Sequence, residues 1–149
     1  MDFSITLSKP AIKRAEALQA KLHLQDISLY ESESGGAGPP TQTVEPVRLS
    51  AELDSEINSK TSAGVDFAVT LRVMCEEPLA FHIQATFLAR YRFAENSKPS
   101  TAVELDAFRK SYAVLAVWPY LREYMQNTAS RMGFPTEPLP LLRLALQKA

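Results

Sequence analysis

Few residues in this chain could do chemistry, and none form a recognisable catalytic or metal-binding pattern. The two histidines, His23 and His82, lie far apart and belong to no spaced set of ligands, so the sequence predicts no metal site. No glycine-rich turn follows a strand and opens a helix, which leaves phosphate binding without support. Glu52, Asp54 and Glu56 alternate along one segment, the spacing of a solvated strand face rather than of a carboxylate pair. Cys75 ends an apolar alternation and reads as a buried, inert thiol. His82 shares one side of a segment with Gln84, Arg90 and Arg92. That side could dock a partner or a nucleic acid, but a polar sheet face in water is the simpler reading. The sequence therefore predicts no enzyme and no cofactor.

The whole chain sets the bounds for those residues. It has 149 residues, 46% hydrophobic and 22% charged, which suits one domain, 1–149, with a real core. A net charge of −1 gives no bulk electrostatic attraction to nucleic acid or to an anionic membrane. A single cysteine allows no intrachain disulfide and points to a reducing compartment. The opening residues hold no apolar run of signal-peptide type, and AVLAVWPYL is too short to span a bilayer. The expectation is a soluble, cytoplasmic protein without membrane insertion.

Periodicity then places the elements. Residues 8–23 read as a helix, with Ser8 as its cap and Ile12, Ala15, Leu18 and Leu22 on one side. QDISLYE, 25–31, reads as a strand. Residues 32–46 hold three of the five glycines and a Pro-Pro pair and read as a loop. Segments 47–57, 65–75 and 79–93 alternate with period two, the last with apolar groups at its odd positions. From 101 to 117 the period becomes helical through Leu105, Phe108, Tyr112 and Leu115. A second helix is expected over 119–132, opened by Pro119 and closed by a left-handed Gly133. The tail LLRLALQKA reads as a last short helix. The fold class that follows is α+β. It has a four-stranded antiparallel sheet over 25–93, a helical layer over 101–148 packed on one face, and a leading N-terminal helix.

The 119–132 helix has two distinct sides. Leu121, Tyr124, Met125, Thr128 and Met132 form one stripe, and Glu123, Gln126, Asn127 and Ser130 lie on the other. The stripe reads as core, and so do the neighbouring aromatics Trp118 and Tyr120, although methionine also suits surfaces that accept many shapes.

WPYLREYMQNTASRMGFP, following four antiparallel strands, resembles a region of the SecB export chaperones. That region starts phenylalanine-proline-tyrosine-alanine-arginine-glutamate and ends arginine-glycine-threonine-phenylalanine-proline. Pro119, Tyr120, Arg122 and Glu123 match the start; Arg131, Phe134 and Pro135 match the end. QDISLYE and VRLSAEL look like the family's first two strands, so the resemblance covers about 25–147. The leading helix looks more like the SecB-like chaperones associated with toxin–antitoxin systems.

The resemblance implies an ATP-independent holdase without catalysis, a homotetramer built as a dimer of dimers with its long helices between two sheet layers. Glu123, Gln126, Asn127 and Ser130 would then face a partner subunit. Unfolded polypeptides would lie in apolar grooves lined by Val44, Val47 and Leu49 together with Trp118, Tyr120 and Leu142. Asp26 matches an acidic position at which export members dock the motor SecA. The companion positions are Tyr30, His82 and Gln84 here, so that acidic patch is weakened. The loop at 32–46 lacks the family's aromatic groups. Two other readings remain open: a dedicated chaperone of an antitoxin, and a small-ligand-binding cup or enzyme.

Overall fold

A computed structural model describes residues 3–36, 50–75, 81–133, 139 and 142–146. Its largest element is the expected antiparallel sheet of four strands: β2 (Leu22–Gly36), β3 (Ser50–Lys60), β4 (Gly64–Cys75) and β5 (Phe81–Phe93). β1 is Ser4–Leu7. The strand order is β2-β5-β4-β3, so β5 and β4 are central while β2 and β3 are edges. Position parity decides the faces. Val65, Phe67, Val69, Leu71, Val73 and Cys75 of β4 lie opposite odd-numbered residues of β5 and are buried with them. This common side is the core face, as the alternation predicts.

Three helices accompany the sheet: α1 (Lys9–Gln19), α2 (Ala102–Lys110) and α3 (Tyr112–Arg131). α2 and α3 pack on the core face, and α1 packs mainly on α2. The expected cap at Ser8 forms, and the structure adds a second one at Thr101. The Ser8 hydroxyl accepts from the Ala11 N–H at 3.3 Å. Thr101 and Glu104 form a reciprocal capping box, 3.1 and 3.0 Å. At the far end of α3, Gly133 takes φ 81°, the left-handed closure predicted from its position.

Several sequence expectations need correction. The first helix ends at Gln19 rather than 23, because Leu22 already pairs with Phe93 as the start of β2. Residues 32–36 are strand, not loop: Ser32 to Gly36 continue the ladder opposite Ala85 to Phe81, so pairing overrides their weak β propensity. β3 runs on to Lys60 through a bulge after Ile57. The helical layer divides at Ser111, not at Pro119. Ser111 has φ −126° and ψ −88°, is fully buried, and donates its hydroxyl to the Ala107 carbonyl at 2.7 Å. Pro119 sits inside α3 on its exposed side, where it removes one helical hydrogen bond, the one to the Leu115 carbonyl. The tail is not a helix. Arg143–Leu146 forms a strand, β6, that pairs in parallel with Ser4–Leu7, β1. Four residues cannot show a period, and the partner strand determines the outcome.

The core is centred on aromatic contacts between the layers. Phe67 of β4 and Tyr91 of β5 both meet Phe108 of α2, at 5.4 and 5.1 Å between ring centroids. Burial pushes the Tyr91 phenol up to about 12. The unfolded chain therefore loses this proton near pH 10, and the folded chain does so only near pH 12. Stability should fall as pH rises through that window, by about 2–3 kcal/mol for this one group. Thermal melts between pH 9 and 11.5 should show a steeper fall for wild type than for Tyr91→Phe. Equal slopes would mean that the phenol is not held neutral by burial.

Candidate functional site

Among the described residues, a cavity of about 580 Å³ lies between the β3 edge of the sheet, the β1 strand and the helical layer. Its apolar wall comes from Phe3, Leu53, Val114 and Leu142. Asp54, Ser55, Arg109 and Lys110 form its polar end. Each part follows from local structure. Leu53 lies on the core face of β3, which here runs past the end of the helical cover and leaves it half-buried. Phe3 stacks on Trp118 of α3 at 4.9 Å, which holds β1 over this end of the molecule.

Arg109 ties the polar end together. Its guanidinium donates to the Ser55 carbonyl at 2.6 Å and to the Ser55 hydroxyl at 3.3 Å. The same hydroxyl lies 3.0 Å from the Arg109 carbonyl, to which it can donate. Arg109 also bonds Asp106, and Lys110 reaches Asp106 at 3.1 Å. Hydrogen bonds from Arg109, and then from Lys110, hold the Asp106 carboxyl below its usual range. The sequence shows this trio only as an i, i+3, i+4 spacing on a helix. That Arg109 crosses to β3 depends on tertiary packing and could not be read in advance.

The residues predicted for client binding do not converge. Val44, Val47 and Leu49 lie outside the described residues. Leu142 lines the cavity, half-buried. Trp118 is only 3% exposed; it supports the cavity through Phe3 and shows a client almost no surface. Tyr120 is 45% exposed on the other flank of α3, where Phe87 meets both Tyr120 and Tyr124. Beside it lies Leu29, 46% exposed, paired with Phe87 on the free β2 edge. The helix thus separates two apolar surfaces.

The four polar residues of α3 share one side. Glu123, Gln126, Asn127 and Ser130 are all exposed, while Leu121, Met125 and Ala129 are buried behind them. On the outer face of the sheet, Gln84 accepts from Arg72 at 2.8 Å, and Arg72 also pairs with Glu52 at 3.3 Å. His82 lies 3.6 Å from Glu33. Asp26 stands opposite Arg90, which itself approaches Asp66 at 3.8 Å. Tyr30 projects at a bulge in β2, 58% exposed. Asp26, His82 and Gln84 therefore share one face, on which Glu33, Glu52 and Asp66 each have a basic neighbour while Glu31, Asp54 and Glu56 stand opposite Thr86, Thr70 and Ala68. Among the described residues no group of three or more His, Cys, Asp or Glu side chains could hold a metal. No described helix is long and apolar enough to cross a membrane.

No family model and no curated protein sequence matches the chain. A solved structure does: a SecB-like chaperone of Mycobacterium tuberculosis, Rv1957, in complex with a ChAD peptide from the HigA1 antitoxin. The two superpose with a TM-score of 0.80 at 17% identity, over 89% of this chain and 99% of that one. The fold is that of the SecB-like chaperones. A chain of this fold thus carries a four-stranded sheet whose β3 edge borders a cavity, and a long helix whose polar side is exposed among the described residues.

Arg109 is the brace of this site. Removing its charge-assisted bonds should cost about 1–2 kcal/mol. Arg109→Ala should lower the urea midpoint by a corresponding amount, whereas Ser55→Ala, which keeps the accepting carbonyl, should cost less. The reverse ranking would show that the hydroxyl, not the guanidinium, holds β3 to α2.

Proposed function

We propose that this chain is an ATP-independent holdase that binds unfolded or partly folded polypeptides, and that its client is a dedicated one of the antitoxin type. The observation that carries the reading is the SecB-like fold matched over nearly the whole length of a chaperone whose structure holds an antitoxin peptide. The two half-exposed apolar surfaces beside α3 support it, because a holdase needs apolar area that its own core does not consume. The cavity has a polar end, but Arg109 there is already committed to Ser55 and Asp106. This arrangement favours a chain-binding surface over a small-ligand cup or an active site.

Val44, Val47 and Leu49 remain proposed client contacts, with Tyr120 on a second surface. A second reading, delivery of export precursors to SecA, rests on Asp26 and the outer sheet face. It is the weaker of the two because Tyr30, His82 and Gln84 stand at the companion positions where the resemblance implies acidic or apolar docking groups. Buried Cys75 suits work in the cytoplasm.

Suppression of aggregation of a slowly folding protein tests the proposal. Wild type should suppress equally with and without ATP, and Val47→Asp with Leu49→Asp should lose most of that effect while keeping its circular dichroism. Full suppression by the double variant would remove Val47 and Leu49 from the client site. Failure of wild type with every client, a candidate antitoxin included, would remove the holdase reading.

The assembly proposed is a homotetramer, a dimer of dimers, with Glu123, Gln126, Asn127 and Ser130 against a partner copy. Light scattering at micromolar concentration should give four times the chain mass. Tyr120→Asp with Asn127→Asp, which places like charges on that side, should lower it. A monomeric mass for wild type would remove the interface role of these residues.

A further inference from the structure

Among the described residues, two strand edges that border the cavity carry no paired strand. β3 is the last strand of the four-stranded sheet, and β1 pairs with β6 on one side. Ser55 fixes the direction of the β3 main chain. Its carbonyl takes the Arg109 guanidinium and its N–H takes the Asp54 carboxylate at 2.8 Å, so both groups point away from β4. Backbone direction alternates along a strand, so the N–H and C=O of Ala51 and Leu53 point outward as well.

β1 can be read in the same way. The Phe3 carbonyl accepts from the Arg143 N–H at 3.1 Å, so residues 3, 5 and 7 face β6, and Ser4 and Thr6 face the opposite edge. The cavity is lined by all of Ser4–Leu7 and by none of Arg143–Ala145, so this opposite edge is the one on the cavity. None of the hydrogen bonds of the described residues reaches Ala51, Leu53, Ser4 or Thr6 from the cavity side. Exposed edges of this kind are templates for another strand.

We propose that a client segment enters this cavity as an extended strand and hydrogen-bonds to β3 on one side and β1 on the other. It would join the four-stranded sheet and the β1–β6 ribbon into one continuous sheet. The proposal rests on the holdase reading above and specifies how that site recognises its client. The occupant is a stretch of unfolded polypeptide identified by its main chain. An extended residue in a sheet takes roughly 160 Å³, from about 3.3 Å of rise, 4.8 Å of strand spacing and 10 Å of thickness. A cavity of about 580 Å³ therefore holds about four residues, and β1 is itself four residues long. Main-chain bonding on both sides gives affinity that tolerates many sequences, while apolar side chains at alternate positions meet Phe3, Leu53, Val114 and Leu142. Proline within the stretch removes a donor and is rejected.

Amide exchange followed by NMR on the full-length protein tests this, with reduced, carboxymethylated α-lactalbumin as the unfolded probe and binding measured independently by fluorescence anisotropy. On saturation, the amides of Ala51, Leu53, Ser4 and Thr6 should exchange at least tenfold more slowly. Glu52, whose amide faces β4, should change little. A second arm compares Leu53→Pro with Leu53→Ala. Both lose the side chain, but only proline loses the outward N–H, so proline should weaken binding at least tenfold more. Binding without protection of these four amides would overturn strand insertion and leave the holdase reading intact. Absence of binding by wild type, to this probe and to a candidate antitoxin alike, would overturn both.

Discussion

The contact of Phe108 with Phe67 and Tyr91 is the constraint from which the rest of the molecule follows. It fixes α2 to the two central strands at one point in the core. The next residue is Arg109, which can reach Ser55 only because Phe108 is seated. Ser111, three residues beyond Phe108, turns the chain while its hydroxyl stays bonded to Ala107. α3 then leaves at the angle that lays Val117, Leu121 and Met125 across the sheet. The brace at the β3 edge and the direction of the long helix are thus two outcomes of the same docking.

The outer edges carry less packing. Leu29, Tyr30 and Tyr120 stay about half exposed, as does Val103 of α2. Apolar residues at the rim of a single chain are normal one by one. Here Leu29 and Tyr120 flank the same core residue, Phe87, and extend its apolar surface outward. The outer face of the sheet behaves differently. Glu33, Glu52 and Asp66 there have basic neighbours, but Glu31, Asp54 and Glu56 stand opposite Thr86, Thr70 and Ala68, so the face keeps a surplus of acidic groups.

Much of this was legible in the sequence. β4 and β5 alternate cleanly because one face is buried, and that same burial enforces their register. Ser8, Thr101 and Gly133 act where they do for local reasons that need no tertiary partner. What was not legible depended on distant segments. Ser32 to Gly36 look like a turn, yet β5 recruits them as strand. Arg143–Leu146 has apolar residues at a spacing that suits a helix or a strand equally, and only β1 resolves it. Pro119 looks like a boundary, but the buried Ser111 supplies the real one. For the candidate site, the open polar side of α3 was readable from spacing. The cavity was not, because Phe3, Leu53, Arg109 and Leu142 meet only through the fold. The contact that holds Trp118 has the same origin: Phe3 precedes it by 115 positions.

The β1–β6 ribbon has a kinetic consequence. Its first pair joins Ser4 to Arg143, so those strands close a loop of almost the full chain length when they meet. The entropy of closing so long a loop is recovered over only four residue pairs. The four-stranded sheet and its helices rely on much nearer contacts and should form without it. Refolding should then occur in two steps, with a sheet-and-helix body appearing before its terminal ribbon. The wall that Phe3 and Leu142 give to the cavity would be the last part of the molecule to be built, and the first to be lost on unfolding.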